Sequence, residues 1–433
     1  MGYFPNNILI GRHMNNKLLI KTLLLLMILC GLFFYYQSRV PRAPLHTDER
    51  YWIAYGAVYF DLAVLKHDFS NPEWQLYPSY EESKLPEFIY GSFLYIAYRQ
   101  SPVKTLYDPN SDTTMLEVRR NEWEKQVNTP LNQIPEKFRR NIEVTLLCRR
   151  LNVFFGIACL LLMFFIGKRL QNYFLGLIAL LTLAINPLFQ SELFTAKADI
   201  IFLCTLLVTF YLSLIYLDKS ILKNLILLSI FAGLTAAAKL HGLFVICVLA
   251  LGLAGKSIIN RQFKKTLLHI SLLLVVAFTV FISINPFTWT GPIRNTAYML
   301  NSRYNISREF CSNRPNNCAP SLKQRFINLN NDLIGTVNKY GTFHLVPWVD
   351  TILLFAGSVV LIKVWKRNRL TYTWFVFWGV VVVLFITSIM FFRFPRYNMI
   401  MVPWICIIES FGLVGIIQTA RARSKRFLKK LVQ

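Results

Sequence analysis

KLLIKTLLLLMILCGLFFYY (residues 17–36), followed about ten residues later by His46-Thr47-Asp48-Glu49-Arg50-Tyr51, decides how the rest of the chain is read. The first string is apolar over the length a helix needs to cross the hydrocarbon core of a bilayer. The second puts two adjacent carboxylates beside that crossing, where charge is costly unless it has a partner or a task. Lys84-Leu85-Pro86 comes about 35 residues further on, before any second span begins. That placement points to chemistry at a membrane surface rather than to a passive pore or anchor.

Working outward, the composition agrees. The chain has 433 residues, 55% hydrophobic and 16% charged, with a mean hydropathy of +0.42, which excludes an ordinary soluble domain. The net charge of +25 does not indicate nucleic acid. Basic residues fall in short runs between apolar stretches (Lys168-Arg169, Lys256 to Lys265, Lys363 to Arg369, Arg421 to Lys430), with no phosphate loop, zinc spacing or RNA-binding signature beside them. No nucleic-acid partner is expected.

Ten stretches read as spanning helices, at about 17–36, 144–167, 172–190, 198–217, 222–238, 240–255, 266–285, 345–364, 371–392 and 398–419. With the N-terminus (1–16) in the cytoplasm, alternation places every basic cluster on that side, as the positive-inside rule requires. The expected organisation is a first span (17–36), a first outer loop (37–143), spans two to seven (144–285), a second outer loop (286–344), spans eight to ten (345–419) and a basic cytoplasmic tail (420–433). Residues 37–143 hold 15 of the 22 acidic residues, so chemistry is sought there first. The first span reads as an uncleaved signal anchor, because no small-x-small cleavage site follows it.

Six of the eight cysteines lie in spans, where the residue behaves as a small hydrophobe. Cys311 and Cys318 share the second outer loop, and a disulfide between them fits an oxidising compartment better than a zinc pair. In the first outer loop Thr47 suits an N-cap, and residues 48–66 follow a helical period with Tyr51, Tyr55, Val58, Tyr59, Leu62 and Leu65 on one face. The apolar run from Phe88 to Tyr98 is too short to span. Both are expected to lie at the interface on the outer leaflet. Glu81 and Glu82 read as solvated loop charges, and Trp289, Trp348, Trp365 and Trp404 as belt residues.

Asp48-Glu49-Arg50-Tyr51 resembles the Asp-Glu motif of GT-C class polytopic glycosyltransferases, most closely the protein O-mannosyltransferase and lipid A aminoarabinose-transferase group. Lys84-Leu85-Pro86-Glu87-Phe88 resembles the Lys-Pro-Pro-Leu-Tyr type segment of the same loop, with the second Pro replaced. Arg149-Arg150-Leu151, Ala196-Lys197-Ala198-Asp199, Gly233-Leu234, Lys239-Leu240-His241-Gly242 and Arg393-Phe394-Pro395-Arg396-Tyr397 are similar to further segments of that group. The likeness is fullest over 17–285. Departures are a longer insertion at about 101–140, no large C-terminal soluble domain, and fewer spans than many members have.

The resemblance implies an all-α GT-C bundle and a sugar donor carried on polyprenyl phosphate. A carboxylate must then take the acceptor hydroxyl's proton, and cations must hold the departing phosphate. It implies Asp48 as base with Glu49 in support, and Lys84, Arg393, Arg396 and Lys239 on the donor phosphate. Asp199, His241 and Tyr397 are further site candidates. Direct displacement inverts the anomeric centre. No cofactor is required; paired carboxylates are compatible with Mg²⁺ or Mn²⁺.

The expected acceptor is a cell-envelope glycan, lipid A or a protein, and the expected setting is a bacterial inner membrane with the site on the periplasmic face. Two alternatives stand beside this reading, a transporter or flippase of lipid-linked sugars and a polysaccharide polymerase or ligase. A transporter usually carries inverted repeats and ionisable groups at mid-membrane. The sequence has no evident repeat, and its ionisable groups read as lying at the outer rim.

Overall fold

The computed structural model describes residues 7–76, 79–80, 82, 84–108, 113–114, 125–261, 263–333, 340–343, 345–346, 348–366, 368–389 and 395–432. It is an all-α membrane protein, apart from a two-residue antiparallel pairing of Tyr107–Asp108 with Thr113–Thr114. The principal helices are α1 (Asn7–Arg39), α2 (Glu49–Phe60), α3 (Leu85–Tyr98), α4 (Arg139–Leu170), α5 (Tyr173–Ile185), α6 (Pro187–Leu193), α7 (Ala198–Asp218) and α8 (Leu222–Ala238). They continue with α9 (Gly242–Asn260), α10 (Phe263–Ile284), α11 (Pro292–Asn313), α12 (Leu322–Leu333), α13 (Val349–Trp365), α14 (Arg369–Ile389) and α15 (Val402–Val432).

By length and composition, six described helices suffice to cross a membrane singly: α1, α4, α7, α10, α14 and α15. The stretch 172–190, expected as one span, is two helices, α5 and α6, bent by 65°. The cause is local. Asn186 precedes Pro187, which disfavours helical backbone at Asn186. Asn186 is accordingly extended, and its side chain caps α6 by accepting from the Phe189 N–H at 3.1 Å. The stretches 222–238 and 345–364 fall on helices of 17 residues, about 25 Å long at 1.5 Å per residue, slightly less than the hydrocarbon thickness.

Helices already in lipid gain little from apolar burial against one another, so packing and polar links hold them together. The Tyr36 hydroxyl donates to the Ala184 carbonyl (2.7 Å), Tyr372 to the Leu170 carbonyl (2.6 Å), and the Trp374 indole N–H to Ser213 Oγ (2.8 Å). Trp404, expected in the interfacial belt, is buried and stacked on Trp378. Cys311 and Cys318 form a disulfide that closes a short ring at the end of α11. The buried Arg325 of α12 then donates to the Thr387 and Ser388 carbonyls, satisfying orphan acceptors at the C-terminal end of α14.

Helices α2 and α3 do not rest on an open surface. Ile53, Ala54 and Ala57 of α2 and Tyr90 and Leu94 of α3 are fully buried with Val144 and Cys148 of α4 and Ile201 of α7. Two glycines let the pair cross closely: a Cβ on Gly91 would lie 2.3 Å from the Gly56 carbonyl oxygen, and one on Gly56 would lie 2.7 Å from that of Glu87. The buried stripe runs through these small residues, and Tyr59 and Leu62 of the expected face are buried too, in a cluster with Trp74. The expected Tyr51 and Tyr55 face turns to a cavity.

Candidate active site

That cavity, of about 390 Å³, lies where the start of α2 with the segment before it, the start of α3 with the segment before it, the start of α7, the α8–α9 turn, α11 and the segment before α15 converge. Asp48, Tyr51, Trp52 and Tyr55 form one wall. Glu82, Glu87, Asp199, Lys239, His241, Arg303, Arg396 and Tyr397 complete it.

Asp48, and not Thr47, is the residue at the α2 N-cap, and its side chain makes no capping bond. It is thereby left to the cavity, where it pairs with Arg396 from 348 residues away. Burial works against the Asp48 charge, yet Arg396, by proximity and hydrogen bond, with His46 and Lys197 behind it, holds the carboxyl below the usual carboxylate range. His46 accepts from the Asp48 backbone N–H at 3.1 Å through Nδ1. Burial first, and the charge of Lys197 second, lower its own proton affinity.

Asp199 opens α7 and meets Lys239 at 2.7 Å, both nearly fully buried. Lys239 also lies 5.6 Å above the Tyr397 ring. His241 sits edge-on between Phe202 and Tyr397. Arg303, on the polar helix α11, reaches both Glu82 (3.3 Å) and the Tyr397 hydroxyl (3.2 Å). Three carboxylate–cation pairs thus line one chamber: Asp48–Arg396, Asp199–Lys239 and Glu82–Arg303.

Of the residues expected at the site, Asp48, Asp199, Lys239, His241, Arg396 and Tyr397 come together. Glu49 does not line the cavity. Its carboxylate is fully buried, accepts from Arg149 Nη2 (2.6 Å) and Nε (2.7 Å), and takes the Ala196 and His46 backbone N–H groups as well. Glu49 ties the start of α2 to α4 and to the segment leading into Asp199, a structural task that its adjacency to Asp48 disguised. Lys84 is buried behind the wall, 2.8 Å from Glu87 Oε2 and 4.3 Å over the Tyr59 ring, so it neutralises Glu87 instead of facing the chamber. Arg393 and Glu81 lie outside the described residues.

Sequence reasoning passed over Arg303, which stands among many polar residues of the second outer loop, and took Glu82 for a solvated charge. It also missed Glu409, seven residues into α15 and fully buried among Asp350, Thr342 and Cys406, away from the cavity. A single carboxylate in an apolar span was the signal available for it. Among the described residues no group of three or more His, Cys, Asp or Glu is placed to hold a metal ion.

Residues 144–284, a third of the chain, match the family model described as dolichyl-phosphate-mannose-protein mannosyltransferase. No curated protein matches the sequence. Among solved structures the chain is similar to ArnT from Cupriavidus metallidurans bound to undecaprenyl phosphate (TM-score 0.52, 12% identity, covering 90% of this chain and 60% of that one). It is similar also to the Archaeoglobus fulgidus oligosaccharyltransferase in the apo form (0.51, 11%, 94% and 52%). A third likeness is to AglB of the same organism in complex with an inhibitory peptide and a dolichol-phosphate (0.51, 11%, 95% and 52%). The chain spans between about half and three fifths of the length of these structures. The chain thus shares the fold of these three membrane proteins, and its central helices match the mannosyltransferase family model.

Proposed function

We propose that this protein is a membrane glycosyltransferase that moves a sugar from a polyprenyl-phosphate carrier to an acceptor hydroxyl. The observation that carries the reading is one chamber holding an uncapped carboxylate, Asp48, together with Arg396, Arg303 and Lys239. An aliphatic hydroxyl is too weak an acid to attack unaided, so a positioned carboxylate takes its proton as the new bond forms. The bond from the anomeric carbon to the phosphate oxygen breaks, and the lipid phosphate leaves with the electron pair. Guanidinium and ammonium donors stabilise the charge that grows there. Displacement by the acceptor on the face opposite the phosphate inverts the anomeric centre.

Tyr51, Trp52 and Tyr55 offer ring faces and edges to a sugar's C–H surface, and Glu82 and Glu87 can accept from its hydroxyls. The family model and the two neighbours holding lipid phosphates support the donor class. We assign the chamber to the outer face, from the positive-inside bias of the loops, and an envelope glycan, lipid A or protein hydroxyl as acceptor.

The test is transfer by purified protein from a polyprenyl-phosphate sugar in lipid nanodiscs, read by mass spectrometry of the product. Asp48→Asn is expected to lower turnover by about 10²–10⁴-fold, the usual worth of a general base. Turnover within threefold of wild type would remove Asp48 from the role.

A further inference from the structure

The chamber presents its cations already engaged. Arg396 is held by Asp48, Lys239 by Asp199 at 2.7 Å, and Arg303 by Glu82 at 3.3 Å. Among the described residues, the lining cations that an entering anion meets each already hold a carboxylate. The three pairs differ in how easily they yield. Asp199 and Lys239 are 5% and 8% exposed, while Asp48 and Arg396 (33% and 24%) and Glu82 and Arg303 (27% and 25%) are both partly open, and of these two only the first pair holds the candidate base. Separating the buried pair strands two desolvated charges, whereas the two partly exposed pairs lose less.

We propose that Arg396 is an exchanged cation: it sits on Asp48 in the empty chamber and passes to the phosphate of the arriving lipid carrier, so that donor binding itself releases the base. This rests on the glycosyltransferase reading for the ligand's chemical class. Before exchange, Asp48 is a poor base, because the guanidinium beside it stabilises its charged form. After exchange its proton affinity rises, at the moment an acceptor hydroxyl needs deprotonating. The exchange also follows the charge of the reaction. A sugar phosphodiester carries one negative charge, and the departing monoester can carry a second while Asp48 holds the acceptor's proton. Arg396 is thus drawn further from Asp48 toward the phosphate as the transition state is reached, which is where an interaction accelerates chemistry. Without a donor, Asp48 remains masked and does not activate water.

Binding of undecaprenyl phosphate to the full chain in nanodiscs tests the exchange by a double-mutant cycle. Asp48→Asn releases Arg396 and is expected to tighten binding roughly tenfold, on the scale of one half-buried ion pair. Arg396→Gln is expected to weaken it. In the Arg396→Gln background, Asp48→Asn is expected to give no tightening, because no cation is left to release. Unchanged affinity in Asp48→Asn overturns the proposal, and so does a tightening of equal size in both backgrounds, which reports only lost repulsion. Asp48→Ala replaces Asp48→Asn in the cycle if the latter does not fold. Transfer activity without the tightening would leave the enzyme reading standing and remove the exchange; tightening without transfer would do the reverse.

Discussion

Glu49 and Asp48 are neighbours in the chain with opposite tasks, and the difference is set by what each meets. Glu49 enters a site with 0% exposure, where Arg149 and two backbone N–H groups satisfy it. Removing one member of such a pair strands the other's charge and costs about 3–5 kcal/mol, whereas replacing both by apolar groups of similar shape costs much less. Glu49→Gln and Arg149→Met are each expected to lower the thermal unfolding midpoint in detergent by several degrees, and Glu49→Leu with Arg149→Met to recover much of the loss. Simply additive losses would show that the two side chains are not coupled. Glu87 gives a prediction with a pH sign. Burial raises its carboxyl to about 7 from the ordinary 4.5, against the opposing pull of Lys84. The folded protein therefore binds this proton more tightly than the unfolded chain does. The contribution is full below about 4.5 and is lost as pH climbs through about 7. Wild-type stability is expected to decline across that window relative to Glu87→Gln, and parallel pH profiles for the two would count against it.

At the scale of elements, the chamber depends on how closely α2 and α3 cross. A methyl group on Gly91 would stand 2.3 Å from the Gly56 carbonyl oxygen and 2.4 Å from Phe60 Cβ, so the helices would have to separate. Gly91→Ala is expected to cost about 1–3 kcal/mol through overpacking. Because α2 carries Tyr51 and Tyr55 and α3 carries Glu87, it should also reduce transfer; a variant as stable and active as wild type would show that the crossing can relax. Neither glycine stands out in the sequence, since close approach is a property of the pair. The apolar helices were legible because their lengths and basic flanks obey simple rules. The break at Asn186-Pro187 was readable locally but vanishes when hydropathy is taken over a whole stretch. Asp199, Lys239, His241 and Arg396 could be noticed because each sits at the edge of an apolar stretch or on a turn between two of them, and Asp48 because it follows closely on the first apolar stretch, where a charge needs a reason. Glu49 and Lys84 turn away from the cavity through contacts that the sequence does not display, such as Glu49–Arg149, 100 residues apart. Arg303 was hidden for the opposite reason: in a long polar segment a charge calls for no explanation.

For the whole molecule, the residues of the chamber come from six separate parts of the chain, all at the same end of the bundle. Which side of the membrane that end faces decides which substrates can reach it. The basic runs 256–265 and 421–430 lie at the opposite end from Asp199, Lys239 and Arg396, one helix length away along α9 and α15. Positive charge within about 15–20 residues of a span favours the cytoplasm, so the chamber is expected outside. A membrane-impermeant thiol reagent on intact cells or spheroplasts can decide this with two exposed positions. Glu136→Cys, at a side chain 87% exposed just before α4, is expected to label from outside. Lys265→Cys, in the basic segment that opens α10, is expected to label only after lysis. The unsubstituted protein supplies the background from its own free thiols, of which Cys30 and Cys247 are exposed. The reverse pattern would turn the molecule over and place Asp48 in the cytoplasm. Sugar carriers presented on the outer leaflet would then be out of reach, and the donor would have to be one assembled on the inner face.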